Sequence, residues 1–168
     1  MPKIIENLEN LLMEEAERQI RKNGYRAVTI RSVAAEVGVG VGTVYNYFPS
    51  KDALLASYML RDWKNCLAQV KTVSEKSPEV RLVIRTIHEV LSGFAQRHNG
   101  VFQDADASVS FAGSFRHYHG MLRSQLAQPI RRFCSSDFAA EFIAEALLTW
   151  TMAEKEFDEI YGMIQKLV

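Results

Sequence analysis

The chain has 168 residues, 48% hydrophobic and 24% charged, which suits one compact globular protein or a small module joined to a larger one. Its formal net charge is +0, so global charge argues neither for nor against a nucleic-acid partner. No apolar run approaches the ~18 residues of a membrane span, and two distant cysteines, Cys66 and Cys134, exclude a CxxC zinc or redox motif. The first helix is predicted from about Ile4 to Asn23, with Leu8, Leu12, Ala16 and Ile20 as its inner stripe. This start is acidic and amphipathic, unlike a signal peptide, and with unpaired cysteines it leads us to expect a cytoplasmic protein. Its glutamates, Glu6, Glu9, Glu14, Glu15 and Glu17, would be repelled by phosphate, so no basic arm is expected there. Gly24 stops the helix, and Tyr25 and Val28 close a small core.

Thr29 then offers a side-chain oxygen to orphan backbone N–H groups and is a good N-cap. Ile30, Val33, Ala34 and Val37 recur at helical spacing behind it. Gly38 ends this helix, because glycine takes the left-handed conformation without a Cβ penalty. A second helix is predicted from about Val41 to Phe48, stopped by Pro49. Ser50 caps a third, with Lys51, Asp52 and Ala53 in its first turn. Two short helices joined by a glycine-bearing turn make a helix-turn-helix, whose second helix enters the major groove in DNA-binding versions. Val44 and Phe48 point inward, leaving Thr43, Tyr45, Asn46 and Tyr47 on or near the outer side. Such groups can donate to phosphate oxygens and base edges. The bland reading is that both tyrosines are half-buried amphipathic residues. From Arg18 to Lys51 the basic residues are Arg18, Arg21, Lys22, Arg26, Arg31 and Lys51, against the single acid Glu36. Beside a helix-turn-helix, this stripe of local charge +5 is the expected footprint of DNA.

The helix from Ser50 runs to about Val73 and carries Leu54, Leu55, Tyr58, Met59, Trp63, Cys66, Leu67 and Val70. That is more apolar surface than the first unit can bury, so this helix connects it to the rest. Ser77, Pro78 and Glu79 start the next helix, which continues to about Arg97. Asn99–Gly100 breaks it, and a short helix is expected over Val101 to Asp106. Ala107 to Gly113 reads ambiguously. A helical pattern resumes at Ser114 and is bent or broken at Pro129. Ser136 with Asp137 caps the following helix, and Thr149–Ala153 either kinks that helix or divides it from the last. No repeat or β-alternating segment is present, so the expected fold is all-α, with eight or nine helices.

The run GVGVGTVYNYFPSKDALL resembles the signature of the TetR family: a glycine turn, Gly-Thr-hydrophobic-Tyr-x-Tyr-Phe, a break, a lysine and a leucine. TIRSVAAEVGV is similar to that family's second helix, and AERQIRKNGYRAVT to the end of its first. The resemblance covers residues 10 to 58. Gly40 stands where a serine is common, and Val41 where a polar or basic residue often reaches DNA. The resemblance implies a DNA-binding domain over 1–50 and a helical ligand-binding and dimerisation domain over 51–168. It also implies phosphate contacts by Thr29, Tyr45, Tyr47 and Lys51, and base-edge contacts by Val41, Gly42, Thr43 and Asn46; Arg31 joins these as a candidate contact.

His88, His98, His117 and His119 do not form a metal site, because the two closest are two apart and share no helix face. No nucleophile elbow, P-loop or dinucleotide fingerprint is visible, so neither catalytic residue nor cofactor is expected. Trp63, Phe94, Phe102, Phe111, Phe115 and Tyr118 are candidate linings of an apolar effector pocket, with core packing as the alternative for each. Phe138, Phe142, Ala146 and Trp150, then Phe157, Ile160, Tyr161 and Ile164, form two apolar stripes. Two copies could bury them as a four-helix bundle. The expected function is an operator-binding homodimeric repressor, released from double-stranded DNA by a small-molecule effector. Its rivals are an enzyme with a fortuitous helix-turn-helix and a helical protein-interaction module.

Overall fold

The computed structural model describes residues 6–168 and, within 112–117, the backbone alone. The expected helix start at Ile4 lies outside these residues. The described helices are α1 (Leu8–Asn23), α2 (Ile30–Val37), α3 (Val41–Tyr45), α4 (Lys51–Lys76), α5 (Val80–Arg97), α6 (Asn99–Phe102), α7 (Ala105–Ile130), α8 (Asp137–Met152) and α9 (Phe157–Ile164). Short 3₁₀ turns follow α1 at Tyr25–Ala27 and α7 at Arg131–Phe133. No strand occurs among the described residues.

The chain divides into two compact units. Unit 1 comprises Met1–Arg61 and His98–Ala112; unit 2 comprises Asp62–Arg97 and Gly113–Val168. The boundary expected at residue 50 is therefore corrected twice. The first part of α4 belongs with unit 1, because Leu54, Leu55 and Tyr58 are buried in its core. A second segment, containing α6 and the start of α7, returns to the same core through Val101 and Ala107. The rest of that core is built as expected, from Leu8, Leu12, Ala16 and Ile20 of α1, Tyr25 and Val28, Ile30, Val33 and Ala34 of α2, and Val44 and Phe48. In unit 2, α5 packs on α8, and α9 packs on both. Ile84, Ile87, Leu91, Ile143, Leu147 and Ile164 are fully buried there, with Trp63 of α4 and Leu126 and Ile130 of α7.

Several boundaries depart from sequence expectation for identifiable reasons. Asn99–Gly100 is the first turn of α6 rather than a break; a Cβ on Gly100 would lie 3.2 Å from the Ile20 side chain of α1. The ambiguous stretch 107–113 is helical because α7 starts at Ala105, where Asp104 Oδ1 accepts from the N–H groups of Asp106 and Ala107 at 2.9 and 3.2 Å. Pro129 lies within α7, which ends one residue later at Ile130. The chain divides at 153–156, with Glu154 at φ 59°, so α8 and α9 are separate helices.

Gly38 has φ 77°, and its N–H bonds the carbonyls of Ala34 and Ala35, the left-handed helix stop expected from sequence. A Cβ there would meet nothing within 4 Å, so the cost of a side chain is purely conformational. Gly38→Ala is expected to cost about 1–2 kcal/mol, read as a lower denaturation midpoint with unchanged slope.

Candidate nucleic-acid interface

The helix-turn-helix begins with a complete capping box. Ser32 N–H donates to Thr29 Oγ1 at 2.9 Å, and Thr29 N–H donates to Ser32 Oγ at 3.0 Å. Thr29 is extended, at φ −136° and ψ 155°, which turns its exposed side chain across the first turn of α2. Thus two of the orphan donors at this helix start are satisfied reciprocally. Behind the box, Ser32 Oγ lies 2.6 Å from Gln19 Oε1, and Gln19 Nε2 donates to Glu15 Oε1 at 2.7 Å. Arg18 closes the network with 2.7 Å bonds to both carboxylate oxygens of Glu15, and its terminal nitrogen reaches Glu36 on α2 at 3.3 Å. The Arg18 hydrogen bonds hold the Glu15 carboxyl below its ordinary value, against the opposing effect of burial, so it stays ionised at neutral pH.

The turn from Gly38 to Gly40 leads into α3, which is shorter than expected. The regular helix stops at Tyr45, while Asn46 stays helical in φ and ψ and Phe48 N–H still donates to Val44 O. Val44 and Phe48 are buried as expected. Tyr45 and Tyr47 are 53% and 47% exposed, so each keeps about half of its surface open to a partner, as the half-buried alternative also allows. Val41, Gly42 and Asn46 are also exposed, and Thr43 is half-buried. One continuous surface segment therefore presents Val41, Gly42, Tyr45, Asn46 and Tyr47, with Thr43 at its edge.

Lys51 has a second engagement that its sequence position did not disclose. Its Nζ donates to the Tyr25 carbonyl at 3.1 Å and sits 3.6 Å above the Tyr25 ring centroid. The Tyr25 hydroxyl in turn donates to Asp52 at 2.6 Å and lies 3.3 Å from Ser110 Oγ. Burial, then the Asp52 bond, pushes this phenol above its ordinary pKa, so it remains a donor. An ammonium has three protons, so Lys51 keeps donors for a phosphate while clamping the start of α4 to Tyr25.

The basic stripe is corrected by its partners. Arg18 is paired with Glu15 and Glu36, and Arg21 with Glu17. Arg26 lies 2.8 Å from Asp106 and 3.7 Å from Asp104, both from the distant segment of unit 1. Counting charge only between Arg18 and Lys51 leaves out these four carboxylates (Glu15, Glu17, Asp104 and Asp106). Arg31 is exposed and has no ion pair among the described residues. Exposed pairs contribute only about 0–1 kcal/mol each, so a phosphate can displace a carboxylate from such an arginine.

The sequence model described as "Bacterial regulatory proteins, tetR family" matches residues 12–58, which contain the helix-turn-helix and its capping network. The match is confined to residues 12–58 of the 168. The transcriptional repressor KstR of Rhodococcus jostii is 33% identical over 94 residues, 53% of this chain and 44% of the relative. KstR of Mycolicibacterium smegmatis is 51% identical over 43 residues, 26% of this chain and 21% of the relative. The matched stretches thus span less than half the length of these curated relatives. Among solved structures, a transcriptional regulator from Rhodococcus sp. has TM-score 0.67 at 18% identity, covering 94% of this chain and 96% of the other. The TetR-family repressor AlkX from Dietzia has TM-score 0.66 at 16% identity, covering 94% and 98%. These structural likenesses show a shared fold across nearly the whole chain.

The candidate residues beyond the helix-turn-helix fare differently. Trp63 and Phe94 meet edge to face in unit 2, ring centroids 5.5 Å apart, and Trp63 Nε1 donates to Gln125 at 2.7 Å. Phe102 and Phe111 instead belong to unit 1, where Phe111 packs against the core and Phe102 is exposed. Tyr118 is exposed in unit 2, and the Phe115 side chain lies outside the described residues. The six aromatics therefore do not converge within one unit, because the return segment 98–112 folds onto α1. The two apolar stripes are corrected as well. Phe157, Ile160 and Ile164 are buried within their own chain against α5 and α8, and Tyr161 is half-buried, stacked 5.3 Å from Phe157. The α8 stripe remains exposed: Phe138 76%, Phe142 53% and Trp150 50%.

Sequence reading missed Gln19, Ser32 and Glu15. The signal was available as a Thr-x-x-Ser spacing opposite a glutamine inside an apolar helix stripe. What it means depends on the contact between α1 and α2.

Proposed function

We propose that this chain is an operator-binding transcriptional repressor that acts as a homodimer and is released by a small-molecule effector. The observation that carries the reading is the capped helix-turn-helix within residues 12–58, which presents Tyr45, Asn46 and Tyr47 to solvent. The curated relatives support it, since KstR is named a transcriptional repressor. Thr29, Tyr45, Tyr47 and Lys51 take phosphates, while Asn46 and the Val41–Thr43 edge lie against bases. A glycine and a valine at 42 and 41 bring little polarity, so specificity falls on Asn46, on Thr43 and on apolar contact with thymine methyls. No helix among the described residues is long and apolar enough to cross a membrane. No cluster of metal-binding side chains occurs among them.

The test is selection of bound fragments from the source genome, followed by titration at several salt concentrations. A selected duplex bound far more tightly than random sequence supports the reading; uniformly weak binding removes it. Arg31, exposed and without an ion pair, serves as the electrostatic probe. Arg31→Ala is expected to weaken binding to all duplexes alike and to lower the salt slope by about one unit. An unchanged slope takes Arg31 off the contact surface.

A further inference from the structure

Among the described residues of α1, Gln19 is the one buried polar side chain, set between the apolar core residues Ala16 and Ile20. Its orientation follows from chemistry. A carboxylate only accepts hydrogen bonds, so the Gln19 NH₂ group must face Glu15 and its oxygen must face Ser32. Ser32 must then donate, and its single proton goes to Gln19. That leaves a Ser32 lone pair for the Thr29 N–H, while Thr29 Oγ1 receives the Ser32 N–H. The Thr29 hydroxyl proton has no acceptor among the described residues and is left for an acceptor outside the chain.

We propose that Gln19 is a positioning residue for DNA binding: acting through Ser32, it holds the Thr29 hydroxyl and the start of α2 in the geometry that meets a backbone phosphate. The inference rests on the DNA-binding reading above. Its mechanism has a definite failure mode. Ser32 Oγ also lies 2.9 Å from the Thr29 carbonyl, an alternative acceptor within the same residue. Without Gln19 the Ser32 proton turns to that carbonyl, its lone pairs rotate away from the Thr29 N–H, and the box loosens. The preceding ion pair matters for the same reason, since Arg18 keeps Glu15 ionised and so keeps the glutamine from flipping. None of these groups needs to touch DNA.

The experiment uses the full chain and a duplex selected by fragment binding. Gln19→Met keeps the length of the side chain and removes both its acceptor for Ser32 and its donor to Glu15. It is expected to weaken binding by roughly threefold to tenfold on selected and random duplexes alike, the size of one lost hydrogen bond. In a Thr29→Val background the same substitution is expected to change nothing, because the group it positions is gone. An equal loss in both backgrounds would mean that Gln19 only stabilises the fold, and it overturns the proposal. Should Gln19→Met not fold, Ser32→Ala cuts the same relay from its other end and is held to the same comparison. A wild-type chain that binds no duplex overturns this proposal together with the DNA-binding reading. Wild-type binding with an unaffected Gln19→Met overturns this proposal alone.

Discussion

Replacing Phe142 and Trp150 by glutamate is expected to give a folded monomer whose operator affinity is down by roughly 10²-fold or more, with every helix-turn-helix residue intact. Both residues lie on the exposed stripe of α8 with Phe138, and an apolar patch of aromatic side chains marks a surface that binds another protein. A second copy related by a two-fold axis would cover the stripe with an identical one, the commonest arrangement of a homo-oligomer. Dimerisation would convert the second half-site contact into an intramolecular event. On the proposed reading that is the source of the affinity, and four carboxylates facing one another across the axis would abolish it. The matched control is Phe157→Glu with Ile160→Glu. Those side chains are buried against α5 and α8, so the control should lower the melting temperature and unfold α9 before it changes assembly. Sedimentation and DNA titration of both variants decide the point. A stable Phe142/Trp150 dimer with full operator affinity places the interface elsewhere.

Val101→Asp is expected to destabilise unit 1 by about 3–5 kcal/mol, the cost of an uncompensated buried charge. Val101 lies outside residues 12–58, yet it is 3% exposed in the same core as Val33, Val44 and Leu55. Domain stabilities are only about 5–15 kcal/mol, so this single change removes a large share. Hydrogen exchange of the α1, α2 and α3 amides should accelerate by about two to three orders of magnitude, and DNA affinity should fall with it. Unchanged protection of those amides would show that segment 98–112 does not support the helix-turn-helix. The nearby exposed Val109 provides a negative control, because the same substitution there removes no buried contact.

Local signals were legible in the sequence wherever they depended on residues a few positions apart. Thr29, Gly38 and Ser50 punctuate the helix-turn-helix by their own backbone chemistry, and the structure keeps each in its expected role, down to the Ser50 bond to Ala53 N–H, whereas α3 ends at Tyr45, ahead of the stop expected at Pro49. Leu8, Leu12, Ala16 and Ile20 point inward because their spacing of four places them on one helix face. Errors collected where a local rule met a distant partner. Asn99–Gly100 has the composition of a break, but the missing side chain lets α6 approach Ile20. The charge of Arg26 read as free because Asp104 and Asp106 stand almost eighty positions away.

The sequence by itself determined the all-α class, the position and punctuation of the helix-turn-helix, and the outward segment from Val41 to Tyr47. These follow from periodicity, capping and backbone stereochemistry, which act over a few residues. Only the tertiary structure decided which apolar stripe stays uncovered, which cations find ion pairs among the described residues, and where unit 1 ends. Burial of Phe157 and Ile160, neutralisation of Arg26 and recruitment of Val101 are each set by a neighbour distant in sequence. The same holds for Gln19, an ordinary polar residue until α2 brings Ser32 within 2.6 Å of it. Hydrophobic burial is non-directional and names no partner, so a stripe in the sequence states that a face will be covered without stating by what.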